Sequence, residues 1–156
     1  MIYENTVGLP LYVLNFLMIS EKQILNVFFH DTSGKEKYRA LNESYYKKVD
    51  SCILVYDITN EISFRNCKDY YIPLIKEKSK RNVLVLLIGN KSDIESKRVI
   101  QKEEGNELAQ LNNFLFFETS CLNYESILEA FNEILELKGR EYFMLNNKKK
   151  KIFCCN

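Results

Sequence analysis

Residues 83–93 read VLVLLIGNKSD. Val83–Gly89 is an unbroken apolar run of strand length, and a polar tetrad, Asn90-Lys91-Ser92-Asp93, follows it directly. A strand without polar alternation is buried on both faces. That is the condition of a parallel sheet covered by helices on both sides. Working outward, Ser51–Asp57 (SCILVYD) is a second such run and Phe114–Glu118 a third, shorter one. Between them lie segments of helical period. In Ser63–Lys78, Phe64, Cys67, Tyr71, Leu74 and Ile75 recur at three- and four-residue steps, and Lys102–Leu111 places Leu108 and Leu111 on one face. Ser126–Leu137 has an apolar face of Ile127, Ala130, Phe131, Ile134, Leu135 and Leu137, and the helix is expected to run on toward Leu145. Upstream, Leu11–Ile19 and Ile24–Phe29 flank the polar Ser20–Gln23, a hairpin signal. Strands alternating with helices predict an α/β, Rossmann-like fold with a mostly parallel sheet. Ligands bind such sheets at the carboxyl ends of the strands.

The composition agrees with one globular domain. The chain has 156 residues, 46% of them hydrophobic and 28% charged. A formal net charge of +1 argues against general nucleic-acid binding. Five cysteines at irregular spacing do not form a disulfide framework, and a single histidine makes a zinc site an unfavourable reading. The apolar run Val7–Ile19 has Glu4 rather than a cationic cluster before it, and Pro10 and Asn15 interrupt it. It reads as a buried strand, not as a signal peptide or a membrane span.

The tetrad after Val83–Gly89 carries the first chemical signal. An aspartate at that strand end can accept both N1–H and N2–H of guanine, a donor pair that adenine lacks. Lys91 can lie along the base and Asn90 can brace the loop. By itself N-K-x-D is also an ordinary polar turn. Two further motifs stand at strand ends in order: Asp31-Thr32-Ser33-Gly34 upstream, and Glu118-Thr119-Ser120-Cys121 closing Phe114–Glu118.

Together these motifs resemble those of the small GTPases: D-T-A-G, N-K-x-D and E-T-S-A. Within that group the chain is most similar to the Rab type. Ser44-Tyr45-Tyr46-Lys47 resembles S-Y-Y-R, and Leu54–Asn60 (LVYDITN) with Ser63-Phe64 matches L-V-Y-D-I-T-N-x-x-S-F. Arg98-Val99 and Glu103–Ala109 (EEGNELA) are similar to the stretch leading into the penultimate helix. The resemblance implies a P-loop NTPase fold of the Ras superfamily and a GTP/GDP switch in vesicle traffic. It also implies Mg²⁺ held near Thr6 and Asp31, the γ-phosphate met by Gly34, and guanine gripped by Asn90, Lys91 and Asp93. The backbone of Ser120 and Cys121 would complete the base site. Implied partners are effectors, an exchange factor, a GTPase-activating protein and the prenylation escort machinery. The chain is expected to be a monomer that binds no nucleic acid, on the cytoplasmic face of an endomembrane with a cytosolic pool.

The sequence departs from the family pattern in two ways. It contains no G-x-x-x-x-G-K-[ST], whose glycine-rich backbone and lysine would cradle phosphate. Thr6-Val7-Gly8 resembles the family's T-I-G, so the expectation is an N-terminally incomplete domain, residues 1–145. It would lack the first strand, the phosphate loop and the first helix. In the family that strand lies between those represented here by Ile24–Phe29 and Ser51–Asp57. Losing about five or six buried apolar side chains at ~1.5–3 kcal/mol each rivals the stability of a domain. Such a chain would need a partner as a pseudo-GTPase, or its hairpin would re-pair across the gap. The second departure is Lys35, where the family has the glutamine that orients water. An ammonium donates but cannot accept, so no competent catalytic residue is assigned and hydrolysis is expected to be weak. His30 and Leu122 replace a tryptophan and a lysine, and His30 reads as structural.

Residues 146–156 read as a short basic tail ending in Cys154-Cys155-Asn156. Rabs with this ending are geranylgeranylated on both cysteines, and a lysine run adds attraction to an anionic leaflet. The rival functional reading is a lipid-anchored interaction module without nucleotide turnover, or an inactive fragment.

Overall fold

The computed structural model describes residues 11–18, 23–32, 46–79, 82–145 and 151–155, with side chains over 27–31, 46–79 and 82–141. In chain order the strands and helices are β1 (Leu11–Met18), β2 (Gln23–Thr32), β3 (Ser51–Asp57), α1 (Glu61–Asn66), α2 (Ile72–Lys78), β4 (Leu84–Asn90), α3 (Lys102–Asn112), β5 (Leu115–Thr119), α4 (Tyr124–Leu145) and β6 (Lys151–Cys155). They build one six-stranded sheet in the order β1-β2-β6-β3-β4-β5. Only β1 and β2 pair antiparallel, from Leu11↔His30 to Met18↔Gln23, which is the hairpin expected from the sequence. Every other neighbour is parallel.

The two unbroken apolar runs divide their residues between two cores. Cys52, Leu54 and Tyr56 of β3, with Val85 and Leu87 of β4, pack against Cys67, Ile72, Ile75, Leu108 and Ala109 of the α1–α3 side. Ile53 of β3, with Leu86 and Ile88 of β4, packs against Ala130, Ile134 and Leu135 of α4, together with Val27 and Phe29 of β2. The strand period of two sends neighbours to opposite faces. Helices therefore cover both, as the absence of polar alternation requires. No helix among the described residues is long and apolar enough to cross a membrane.

The expected single helix over Ser63–Lys78 is divided. A π-helical turn, Cys67–Tyr71, separates α1 from α2, closed by Ile72 N–H on Cys67 O. Pro73 is the physical reason. Proline lacks an amide hydrogen and its ring clashes with the carbonyl four residues back. Widening the ladder just before it keeps the chain helical. Asn60 caps α1, its Oδ1 accepting from the N–H groups of Ile62 at 3.0 Å and Ser63 at 3.3 Å.

Part of the segment read as a short basic tail lies within the described residues. Lys151–Cys155 forms β6 in the middle of the sheet, parallel to β2 from Phe28↔Lys151 to Thr32↔Cys155 and to β3 from Ser51↔Ile152 to Leu54↔Cys155. The hairpin thus does not re-pair with β3 across a gap, because β6 lies between them. The sequence KIFCC is apolar, free of glycine and proline, and suited to a central parallel strand.

Two contacts lock the helical layer to the sheet. The Tyr56 ring lies beside Gly89 and Gly105, and a Cβ at Gly105 would clash with its Oη and lie 2.7 Å from the Phe116 ring. That hydroxyl is buried and has no hydrogen-bond partner among the described residues. The loop after β4 is braced by Arg98, whose guanidinium meets Glu118 of β5 through two bonds, 2.6 and 3.0 Å, with side chains only 9% and 10% exposed. Its Nε also donates to Glu95, and Nη1 to Ile100 O at 3.0 Å. Gly105→Ala is therefore expected to lower stability in urea unfolding by about 1–3 kcal/mol through overpacking, although alanine is intrinsically the better helix former. In a Tyr56→Phe background the loss shrinks, and equal losses in both backgrounds would rule this contact out. Arg98→Ala leaves Glu118 buried without its partner and is expected to cost about 3–5 kcal/mol. Arg65→Ala, which breaks an exposed pair with Glu61, is expected to cost less than ~0.5 kcal/mol.

Candidate guanine-recognition site

Neighbouring parallel strands release their chains at the same rim of the sheet. Asp57 of β3 stands in register with Asn90 of β4, and Asn90 with Thr119 of β5. The three loops that follow therefore begin side by side. After Asn90 the backbone turns sharply at Lys91, whose φ of 67° lies in the left-handed region. Ile94 N–H then closes a turn on Lys91 O at 2.9 Å.

The β4 and β5 loops are fastened to each other at several points. Ser92 N–H donates to Thr119 O at 3.0 Å. Thr119 Oγ1 donates to Asn90 Oδ1 at 3.3 Å, and Asn90 Nδ2 approaches Cys121 Sγ at 4.0 Å. Ser120 Oγ donates to Asp93 Oδ1 and accepts from Leu122 N–H at 3.0 Å. Asn90 thus braces the two loops, and Asp93 is held against the turn that follows β5. No hydrogen bond to Asp93 Oδ2 forms among the described residues.

The turn distinguishes the two backbone donors that the sequence grouped together. Ser120 N–H donates to Ser126 Oγ at 3.1 Å, at the start of α4. Cys121 N–H meets no acceptor among the described residues, and Cys121 is exposed. Only the second is placed to serve a ligand. Ser120 acts instead through its hydroxyl, as the clamp on Asp93.

On the other side of β4, Lys91 Nζ lies 2.5 Å from Asp57 Oδ2. Asp57 Oδ1 accepts from Thr59 N–H at 2.8 Å and from Thr59 Oγ1 at 2.7 Å. Burial alone would raise the Asp57 pKa, but the bonds from Lys91 and Thr59 outweigh it and hold the carboxyl below its usual range. The same bond from Asp57 raises the Lys91 ammonium pKa. No sequence pattern pairs these two residues, since only the register between strands brings them together. The same holds for the Arg98–Glu118 brace.

Asp31 stands near the carboxyl end of β2, in register with Cys154 of β6. It is partly buried, and that burial raises its pKa. It lies on the same rim as Asp93, with β6 and β3 standing between β2 and β4. Thr6, Gly34 and Lys35 lie outside the described residues. The structure therefore brings together Asn90, Lys91, Asp93, Ser120 and Cys121, and places Asp31 further along the rim. Cys154 and Cys155 close β6.

Comparison with known proteins fits this geometry. A family model described as "Ras family" matches residues 1–138. The chain is 37% identical over 150 residues to the Ras-related protein Rab-13 of Bos taurus, covering 94% of this chain and 72% of the relative. It is 35% identical over 150 residues to the Ras-related protein RabQ of Dictyostelium discoideum, with the same coverage of 94% and 72%. It is 32% identical over 132 residues to the Ras-related protein RABA1e of Arabidopsis thaliana, covering 85% of this chain and 59% of the relative. The chain belongs to the Ras family and, within it, to the Rab-type small GTPases.

Proposed function

We propose that this chain is a guanine-nucleotide-dependent switch of vesicle traffic, with its base-recognition site at the loops after β4 and β5. The observation that carries the reading is the Asp93 carboxylate clamped by Ser120 beside the Cys121 N–H. In this arrangement Asp93 accepts from guanine N1–H and N2–H, and Cys121 N–H donates to O6. Adenine, with an amino group where guanine has O6 and no N1–H, would meet a carboxylate and an N–H both wrongly matched. Sites built to hydrogen-bond one pattern reject its counterpart because their polar groups are left unpaired. Asn90 keeps the two loops at one spacing, and Asp57 orients Lys91.

Membership of the Ras family implies guanine nucleotide and Mg²⁺ in general. The residues present fit the base. Asp31 also fits a cation at the rim, since a positive ion would offset the burial that disfavours its charge. Thr6 would join it at the metal and Gly34 would meet the γ-phosphate. The bound Mg²⁺ would neutralise phosphate charge. In the nucleotide-bound state the chain would recruit effectors. An exchange factor, a GTPase-activating protein and an escort for prenylation of Cys154 and Cys155 complete the set of partners, at the cytoplasmic face of an endomembrane.

Lys35 favours a second reading, a lipid-anchored interaction module without nucleotide turnover. Its ammonium supplies donors and no acceptor for an attacking water.

Asp93→Asn tests the base site. The amide oxygen still accepts from Ser120, so the clamp survives, but the amide nitrogen now faces guanine N2–H as a second donor. Titration with a fluorescent GDP analogue is expected to show at least about a tenfold loss of affinity. Xanthosine diphosphate, which presents an acceptor at that edge, is expected to gain. Unchanged GDP binding by folded Asp93→Asn protein would remove Asp93 from the site. Lys35→Gln is expected to raise single-turnover GTP hydrolysis by on the order of tenfold. An unchanged rate would mean that Lys35 is not what limits turnover.

A further inference from the structure

The guanine tetrad carries a cation and an anion two residues apart, Lys91 and Asp93. Lys91 stands at the left-handed turn, and the bond from Ile94 N–H back to Lys91 O folds Asp93 into that same turn. Opposite charges across so short a loop attract. Were they to pair, the ammonium would occupy the acceptor that guanine requires. The structure holds them otherwise. Lys91 Nζ lies 2.5 Å from Asp57 Oδ2, and Asp93 is clamped by Ser120 on the β5 side.

Asp57 is built to compete for the lysine. Its backbone is fixed at both ends: the N–H donates to Ser63 Oγ at 3.0 Å, and the carbonyl accepts from Asn60 N–H at 2.9 Å. Its side chain is fixed by Thr59, whose N–H and hydroxyl both donate to Oδ1. Oδ2 is left for Lys91. The Asp57 side chain is 20% exposed and that of Lys91 51%, so the carboxylate is the stationary partner and the lysine alone gives up rotamers on pairing. Ile58 N–H donates to Asn90 O at 3.1 Å, which brings the chain after β3 against the chain after β4 just where Lys91 departs. Besides Asp57, the charge of Asp93 also acts on the ammonium, more weakly. Arg98, the cation that braces the loop after β4, is taken by Glu118 and Glu95. The tetrad is thus stretched between two ties, Lys91 toward β3 and Asp93 toward β5.

We propose that Asp57 is a positioning residue of the base site that holds the Lys91 ammonium away from Asp93, so that the Asp93 carboxylate stays open to the two donors of guanine. Without the Asp57 charge, Lys91 turns to Asp93 and closes the site from within. The base then binds only the fraction of molecules in which that pair is open, and the apparent affinity falls by the same fraction. Exposed ion pairs are weak, so the site is dimmed rather than abolished. The effect on affinity rests on the reading of Asp93 under Proposed function; the exchange of partners by Lys91 does not.

Asp57→Asn isolates the charge, since the amide oxygen can still accept from Thr59. Titration with a fluorescent GDP analogue is expected to show a loss of about three- to fivefold. Adding Lys91→Met removes the competing ammonium and keeps an apolar stem along the base. The double variant is expected to bind more tightly than Asp57→Asn alone. Were Asp57 only a prop for Lys91 or for the Thr59 turn, the second substitution would leave affinity unchanged or lower it, and either result would overturn the proposal. Asp57→Ser, whose hydroxyl can still accept from Thr59 N–H, serves the same comparison if Asp57→Asn does not fold. The crystal structure of nucleotide-free Asp57→Asn protein reads the exchange without a ligand. Lys91 Nζ is expected within salt-bridge distance of Asp93, and an ammonium that stays beside β3 or points into solvent refutes the exchange. If neither wild type nor Asp57→Asn binds GDP but that structure shows Lys91 on Asp93, the guanine reading fails and the positioning of Lys91 by Asp57 stands.

Discussion

β3 sets the terms for the rest of the molecule. Cys52, Ile53, Leu54 and Tyr56 are all at most 1% exposed, and they face alternately into two separate cores. A strand buried on both faces has no water available to its backbone, so its amide and carbonyl groups must be paired along both edges. β4 satisfies one edge. The other must be met by some strand, and in this chain it is β6. The hairpin β1–β2 is attached to the sheet only through that same strand. The position of Asp31 thus depends on a five-residue element near the end of the sequence, whereas Asp93 depends on β4 and β5, on the opposite side of β3.

This division explains why the rim has two halves of unequal definition. The guanine half is built from consecutive register rows, Asp57↔Asn90↔Thr119, and cross-bonded by Asn90, Ser92, Thr119 and Ser120. Arg98 adds a buried tie from the loop after β4 to Glu118 in β5. Each of these groups has a partner on a neighbouring strand or loop, so the loop spacing follows from the sheet. Asp31 sits across β6 and β3 from that assembly. Any change in β6 reaches Asp31 first and the base site last.

Much of this was legible in the residues, and what was not has definite causes. Unbroken apolar runs at Ser51–Asp57 and Val83–Gly89 have one physical meaning, burial on both faces, and the strands fall where those runs lie. The motifs after them landed at the rim because parallel strands end on one side. Pro73 could have announced the π turn, since a proline inside a helical period must distort it, but the surrounding apolar spacing is unbroken and masks the signal. Ion pairs such as Lys91–Asp57 and Arg98–Glu118 join residues far apart in sequence, and only the register brings them together.

β6 is the instructive case. Its five residues carry the same apolar, β-favouring character as the other strands, but they follow a run of lysines and include a cysteine pair. Charge density and a family resemblance point to a basic tail with cysteines suited to prenylation, and both considerations are local. The competing consideration is global: two parallel edges, each needing a partner, stand one strand apart, and no other described strand can occupy that place. A central vacancy leaves two rows of backbone groups unsatisfied, and that demand stands against the conformational entropy that five solvated residues lose on ordering. The same five residues carry both a strand-forming pattern and the cysteine pair of the family resemblance, and only the register with Phe28–Thr32 and Ser51–Leu54 places them in the sheet.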